Sequence, residues 1–157
     1  REFELYGTVR AIVCICDSIH YLESEEDLLE VLRLANNYLD PGGIFVFDLN
    51  TPYKYREILG DSVIAENREE CSFIWENTFY EEDGVNEYDL TIFRKEEDDL
   101  YRKYEETHFQ KAFEPERVKE LIREAGMEFV AEYDAFTREA PKSDSERLYF
   151  IAREQGK

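Results

Sequence analysis

The sequence predicts an α/β domain with an inserted layer of antiparallel strands, and three observations support this fold class. Two short apolar runs, at 9–16 and 43–48, flank a segment with helical periodicity, which is the pattern of a βαβ unit. From residue 62 to 113 apolar and polar residues alternate, as they do in antiparallel strands with one covered face. Helical spacing then returns, and two further strand-like segments follow at 127–136 and 147–153.

The first strand and the first helix form one βα unit. The nearly unbroken apolar run at 9–16 is typical of a strand that is buried on both faces. The helix is predicted over 24–39, because Ser24 is suited to the N-cap and Asp27, three residues later, completes a variant capping box. Asp-Pro-Gly-Gly at 40–43 ends this helix and turns the chain into the second strand. We therefore expect the first two strands to lie parallel in one sheet.

The inserted layer, at 62–113, consists of alternating segments separated by turns. Its apolar residues share one parity within each segment, with Phe73, Trp75 and Phe79 in one and Tyr88, Leu90 and Ile92 in the next. Asp83 and Gly84 lie between these segments and are suited to a hairpin turn. A further alternating segment runs from 100 to 113, after a charged turn at 95–99. We predict three or four antiparallel strands that form a layer separate from the first sheet.

The last part of the chain returns to the α/β pattern. Pro115 fits the first turn of a helix predicted over 114–125, whose apolar residues have i, i+3, i+4, i+7 spacing. Gly126 is the residue type expected just after the C-terminus of that helix. The strands at 127–136 and 147–153 are predicted to complete the first sheet.

Composition and charge exclude several classes of function. The chain has 157 residues, enough for a single domain, and 38 acidic against 19 basic residues give it a formal net charge of −19. Such a charge repels phosphate groups, so we expect neither a nucleic acid nor a membrane surface as a partner. Cys14, Cys16 and Cys71 lack the spacing of a metal site or of a disulfide framework. We interpret them as reduced core thiols of a cytoplasmic protein, and we expect no metal site.

Five segments follow one another along the chain in a characteristic order. They are CDSIHYL at 16–22, LDPGG at 39–43, FDLNT at 47–51, YRKYEETHFQKAF at 101–113, and the terminal helix with the last two strands. Together these segments resemble the second half of a class I S-adenosylmethionine-dependent methyltransferase. The segment at 101–113 is similar to the Glu-x-His-containing strand of a bacterial subgroup that includes small-molecule and sugar N-methyltransferases. The resemblance implies a partial Rossmann-like methyltransferase sheet, S-adenosylmethionine as cofactor, and methyl transfer to a small-molecule acceptor.

The sequence also departs from this family. The family holds its cofactor with a glycine-rich loop after its first strand and an acidic residue after its second, and neither is present in this sequence. Residues 1–3 resemble the stretch that follows the family's third strand. We therefore expect a C-terminal fragment of the fold, which alone binds S-adenosylmethionine weakly or not at all. The alternative is a non-catalytic α/β interaction or assembly module derived from the same fold.

The resemblance also predicts self-association. In the family fold the strand at 9–16 is central, and the first strand of the family is one of its neighbours. Without that neighbour the strand presents an apolar edge, in which Arg10 is the only charge. Unpaired backbone groups beside apolar side chains favour pairing with a second copy. We therefore expect a homodimer that pairs at this edge.

Candidate cofactor and acceptor residues follow the first strand, where open α/β sheets bind ligands. The resemblance implies that Asp17 and Ser18 lie beside the methionine end of the cofactor, and that His20 and Tyr21 face the methyl acceptor. The alternative is that Asp17 and Ser18 only cap the strand end while Tyr21 packs under the helix.

Two further groups are expected to complete the site. Asp48 and Asn50 end the second strand and are predicted to line the same crevice as acceptor-binding residues, although Asn50 also opens a plain turn. Glu106, His108 and Gln110 share one parity of a strand, so their side chains project from one face. An acid, an imidazole and an amide on one face could position an amine or hydroxyl acceptor. A solvated sheet face is the alternative.

Roles for the candidate residues follow from the chemistry of methyl transfer. The reaction needs an aligned acceptor and, for a protonated acceptor, a group that removes a proton. We therefore predict Tyr21, His108 and Glu106 as catalytic residues, and Gln110 as an acceptor-binding residue with His20.

Overall fold

Two four-stranded sheets and two helices make up the computed structural model, which describes residues 4–97 and 100–156. The strands are β1 (Val9–Cys14), β2 (Leu39–Asn50), β3 (Val63–Asn67), β4 (Cys71–Tyr80), β5 (Val85–Lys95), β6 (Tyr101–Lys111), β7 (Met127–Asp134) and β8 (Arg147–Glu154). The helices are α1 (Glu25–Tyr38) and α2 (Pro115–Glu124). A 3₁₀ turn at Ser18–Tyr21 follows β1, and a π-helical turn at Lys54–Leu59 follows β2. Residues 1–3, and Asp98 and Asp99 of the expected charged turn, lie outside the described residues.

The first sheet has the strand order β1-β2-β8-β7. β1 and β2 are parallel, whereas β2–β8 and β8–β7 are antiparallel. Both helices pack on one face of this sheet. The hydrophobic core that they share with the sheet includes Leu28, Leu32, Phe45, Phe47, Val118, Leu121, Ile122 and Phe150. The predicted fold class, with two parallel strands in one sheet, is confirmed.

The ends of both helices follow the predicted local chemistry. The side chain of Ser24 accepts a hydrogen bond from the backbone N–H of Asp27, with 3.1 Å between the two atoms. Gly126, just after α2, has a φ of +79°, which is strained for any residue with a Cβ. The turn expected at 40–43 is present as a bulge in the β1–β2 ladder, because the register shifts there and Gly42 has a φ of +73°. β2 therefore begins before the predicted position.

The prediction that the first strand is buried on both faces is wrong. Ile12 and Cys14 pack against the core, but Val13 on the opposite face is 63% exposed. The reason is that β1 is an edge strand, and within the described residues no helix covers the face that carries Val13. The prediction of three core thiols is also wrong: half-buried Cys14 packs against the core, but Cys16 is exposed, and half-buried Cys71 lines a cavity; all three are free.

The second sheet contains the inserted segment and has the strand order β3-β4-β5-β6, with antiparallel neighbours throughout. The expected hairpin turn joins β4 and β5, and its Gly84 has a φ of +58°. The strand register places the apolar side chains of β4 and β5 on the same face as the polar side chains of β6. Trp75 pairs with Leu90, and Tyr88 pairs with His108. This face is directed towards the first sheet. None of the described helices is long and apolar enough to cross a membrane.

Candidate functional site

A cavity of about 390 Å³ lies between the two sheets, at the carboxyl ends of β1 and β2. One side is apolar and is formed by residues of the second sheet: Phe73, Trp75, Tyr88, Leu90 and Ile92. The other side is polar and is formed largely from the first sheet and the turn that follows β2: Asp17, Asn50, Lys54 and Arg147. A cavity of this size, with apolar walls and a few polar groups, is typical of a small-molecule site.

The chain that leaves β1 has an unusual backbone conformation. Cys16 and Asp17 have φ values of +66° and +68°, although neither is glycine. Such conformations cost on the order of 1 kcal/mol or more and are concentrated at functional sites. The carbonyl of Asp17 accepts a hydrogen bond from the N–H of His20 at 3.1 Å, which begins the 3₁₀ turn. This turn places Ser18 at the surface and carries Tyr21 to the second sheet.

Arg147 joins the two aspartates at the strand ends. Its Nη2 donates to Oδ1 of Asp17 at 2.6 Å, and its Nη1 donates to Oδ2 of Asp48. The Asp48 side chain is 3% exposed and needs a cation, because a buried unpaired carboxylate is very costly. Although burial alone lowers the pKa of Arg147, the hydrogen bond to Asp48 and the charges of both aspartates raise it overall. Arg147 lies opposite Asn50 in the β2–β8 register, which explains how it reaches this site.

Tyr55 connects the two sheets beneath the cavity. Its hydroxyl accepts a hydrogen bond from Nδ2 of Asn50 at 3.2 Å and donates to Oε1 of Gln110 at 3.1 Å. The side chain is fully buried, and this burial raises the pKa of the phenol, so Tyr55 stays protonated as a donor. Asn50 and Gln110 therefore line the cavity in fixed orientations.

The structure does not place His20 at the cavity. The imidazole is fully buried, and its Nε2 accepts a hydrogen bond from the backbone N–H of Asn50 at 2.8 Å. Nδ1 lies 3.4 Å from the carbonyl oxygen of Lys111 and is assigned as its donor. Burial lowers the pKa of His20 to about 4, so the ring is neutral near pH 7. Its contacts hold the end of β2 and leave neither nitrogen available to an acceptor.

Tyr21, His108 and Glu106, which were predicted to be catalytic residues, form one hydrogen-bonded cluster. The Tyr21 hydroxyl lies 2.9 Å from Nδ1 of His108, and Nε2 of His108 lies 3.2 Å from Oε2 of Glu106. The hydroxyl of Tyr88 is 3.0 Å from that of Tyr21, and its ring stacks on His108 with centroids 4.7 Å apart. The pKa of Tyr88 is raised mainly by burial and, to a smaller extent, by the hydrogen bond to Tyr21, so this hydroxyl stays protonated. Tyr88 connects the cluster to the cavity, which it lines.

The structure brings some of the predicted site residues to the cavity, and other cavity residues were not predicted. Of the predicted residues, Asp17, Asn50 and Gln110 line the cavity, and Asp48 supports it through Arg147. The residues that were missed are Lys54, Tyr55, Tyr88 and Arg147. The last three make hydrogen bonds with residues that are distant in sequence. Of these residues, only Arg147 could have been expected from the sequence, because the carboxylate of Asp48 at the end of a buried strand requires a cationic partner from another segment. Within the described residues, no three His, Cys, Asp or Glu side chains are grouped to hold a metal ion.

Comparisons with known proteins agree with this architecture. No family model matches the chain. It is 31% identical to "Putative methyltransferase YqeM" of Bacillus subtilis over 94% of its own length and 59% of that protein. It is 30% identical to "Putative methyltransferase GWCH70_2453" of a Geobacillus species, over 97% of its own length and 62% of that protein. The chain thus spans about 60% of the length of these relatives.

Solved structures show the same fold. A S-adenosylmethionine-dependent methyltransferase from Clostridium acetobutylicum matches 99% of this chain with 62% of its own, at a TM-score of 0.91 and 22% identity. The sugar N-methyltransferase KedS8 from Streptoalloteichus matches 98% of this chain with 59% of its own, at a TM-score of 0.73 and 17% identity. The predicted resemblance to part of a class I methyltransferase is therefore confirmed.

Proposed function

We propose that this chain forms the acceptor-binding side of a S-adenosylmethionine-dependent methyltransferase that acts on a small molecule. The observation that carries this proposal is the cavity, which lies at the carboxyl ends of two parallel strands and is closed by the second sheet. The relatives named as methyltransferases match nearly the whole chain, which favours an enzyme over a non-catalytic assembly module.

Asp17 and Ser18 are the residues that we assign to the cofactor. When bound, S-adenosylmethionine supplies a methyl group as an electrophilic carbon. The chemistry of the strand end fits its methionine portion: the Asp17 carboxylate is partly exposed, held by Arg147, and mounted on a strained turn. Such a carboxylate attracts an ammonium group. The 157 residues contain no glycine-rich loop, so this chain supplies one wall of the cofactor site.

The cluster of Tyr21, His108 and Glu106 is suited to remove the proton of the acceptor. Glu106 accepts a hydrogen bond from the Nε2–H group of His108. This leaves Nδ1 of the neutral ring to accept a hydrogen bond from the Tyr21 hydroxyl. Tyr88 donates to the Tyr21 oxygen in the same arrangement. A methyl acceptor whose amine or hydroxyl lies beside Tyr21 can therefore transfer its proton to the Tyr21 oxygen, while the Tyr21 hydroxyl transfers its own proton to Nδ1 of His108. No charge is left on the tyrosine in this exchange.

The polar side of the cavity orients the acceptor. Asn50 and Gln110 are fixed by Tyr55, and Asp48 fixes the position of Arg147. The apolar wall of the second sheet provides a surface on which the body of the acceptor can pack.

Methyl transfer is tested with the polypeptide encoded by the complete reading frame that contains this chain. We expect that polypeptide to bind S-adenosylmethionine in calorimetry and to transfer its labelled methyl group to a component of a small-molecule extract. The 157-residue chain alone should bind the cofactor weakly or not at all. Lack of cofactor binding by the complete polypeptide would refute the proposed function. Micromolar binding of S-adenosylmethionine by the 157-residue chain would instead refute the proposal that this chain supplies only one wall of the cofactor site.

We also propose that the protein is cytoplasmic and that the 157-residue chain by itself forms a homodimer that pairs at the β1 edge. Free cysteines agree with a reducing compartment. Val13 and Ile15 are 63% and 46% exposed beside the unpaired edge of β1, and such edges pair readily with another copy.

A further inference from the structure

Lys54 is a half-buried lysine whose ammonium group has a neutral partner. Its Nζ donates a hydrogen bond to Oδ1 of Asn50 at 3.3 Å, and among the described residues no carboxylate lies within ion-pair distance of it. Lys103, Lys119 and Lys142 each have a carboxylate partner, whereas Lys111 resembles Lys54 in donating to a neutral group, the carbonyl of Asp83. The contrast is informative because the chain contains two acidic residues for each basic one.

The surroundings of Lys54 compensate its positive charge only in part. Burial lowers the pKa of this lysine, and the neighbouring charge of Arg147 lowers it further. Three carboxylates act in the opposite direction: Glu146, which is exposed, and Asp17 and Asp48, which are already hydrogen-bonded to Arg147. An oxyanion beside Nζ would supply the missing counter-charge.

The position of Lys54 points to the acceptor as the source of that oxyanion. Lys54 lines the inter-sheet cavity together with Leu59, and the apolar wall of Trp75 and Leu90 lines the same space. The net charge of −19 repels anions at long range, so an anion site in this chain has to be local and partly desolvated. Lys54 satisfies both conditions.

We infer that the methyl acceptor carries a carboxylate or phosphate group that binds Lys54, and an apolar or aromatic body that packs on Trp75 and Leu90. This inference rests on the proposed function, because it names the class of acceptor for the same cavity. It excludes cationic polyamines and neutral apolar compounds as the preferred class.

The test uses four probes with a similar phenyl-alkyl body and the 157-residue chain. The probes are 3-phenylpropionate, 2-phenylethyl phosphate, 3-phenylpropionamide and 3-phenylpropylamine. Trp75 is the only tryptophan and lines the cavity, so its fluorescence reports binding directly. We expect at least one of the two anions to bind about three- to tenfold more tightly than the amide, as for a hydrogen bond to a charged group. The tighter anion identifies carboxylate or phosphate as the natural group.

Three variants separate the role of Lys54 from general charge effects. Lys54→Met should abolish the preference for anions, and Lys54→Arg should retain most of it. Lys142→Met removes an exposed lysine that is paired with Glu139, and it should leave the preference unchanged. Equal binding of anion and amide by the wild-type chain would overturn the inference. So would tightest binding of the amine, a preference that survives Lys54→Met, or no binding of either anion at millimolar concentration.

The two proposals fail in different ways. A complete polypeptide that binds S-adenosylmethionine and transfers methyl groups, but shows no preference for anions, would refute only the inference about Lys54. A complete polypeptide that does not bind the cofactor would refute the proposed function, whatever the probes show.

Discussion

The Tyr21 hydroxyl lies 2.9 Å from Nδ1 of His108, although 87 positions separate these residues in the sequence. Tyr21 belongs to the turn after β1, whereas His108 belongs to β6 in the inserted sheet. Their hydrogen bond therefore joins the strand ends of the first sheet to the second sheet beside the cavity. Both side chains remain partly exposed.

Removing this hydrogen bond should lower turnover more than stability. In the complete polypeptide, Tyr21→Phe or His108→Ala should reduce kcat by about 100-fold, the usual effect of losing general acid–base catalysis. The thermal midpoint should change little, because Tyr21 is 46% exposed. Tyr104→Phe is the control, because it removes the hydroxyl of another exposed tyrosine: Tyr104 lies on β6, as His108 does, and is 40% exposed. Parallel losses of activity and thermal midpoint in the Tyr21 variant would indicate a packing role instead.

The contact between Arg147 and Asp48 should contribute strongly to stability. Arg147→Met leaves a carboxylate that is 3% exposed without its cation, and such changes lower the free energy of unfolding by about 3–5 kcal/mol. Chemical denaturation with urea measures this loss. Arg153→Met, on the same strand, removes an exposed pair with Glu128 and should cost less than about 1 kcal/mol.

A double variant distinguishes the lost ion pair from lost packing. Asp48→Asn combined with Arg147→Met removes the buried charge together with its partner, so most of the stability should return. If the double variant is as unstable as Arg147→Met alone, the arginine stabilises the fold through packing of its side chain.

Local sequence patterns were sufficient for the elements but not for the site. The Ser24–Asp27 cap and the Asp83–Gly84 hairpin turn depend on neighbours in sequence, and both are present as predicted. The position of Tyr55 depends on partners from β2 and β6, which no periodicity encodes. Apolar periodicity likewise shows that β1 has two apolar faces, but it cannot show what covers each face.

His20 illustrates the same limit and predicts a pH dependence. Its position after a strand suggested acceptor binding, yet burial holds it neutral and lowers its pKa from 6.5 to about 4. The unfolded chain therefore binds more protons than the folded chain between these pH values. The free energy of unfolding should be highest above pH 6.5 and should fall towards pH 4, by roughly 3 kcal/mol in total.

Denaturation with urea at several values between pH 7 and pH 5 measures this slope. His20→Asn removes the titrating group and should flatten the slope, whatever its effect on stability at pH 7. A slope that persists in His20→Asn would assign it to carboxylates instead.

The exposed edge of β1 should make the 157-residue chain a dimer. Within the described part of the chain, one side of this strand has no neighbour in the sheet, and Val13 is 63% exposed. A lysine in an edge strand opposes pairing, because its charge would be desolvated in the new sheet. Sedimentation at micromolar concentration should therefore show a dimer for the wild-type chain and a monomer for Val13→Lys. Added salt should strengthen the dimer, since at physiological ionic strength it screens the repulsion between two chains of charge −19 beyond about 8 Å.

Val63→Lys is the matched control for this prediction. Val63 is 64% exposed and lies on β3, one of the two edge strands of the second sheet, so the substitution adds the same charge to a different sheet edge. The dimer should survive in this variant because its interface is at β1. A dimer that is lost in Val63→Lys and kept in Val13→Lys would place the interface at β3. A wild-type monomer at micromolar concentration would mean that the β1 edge does not drive association, despite its exposed apolar side chains.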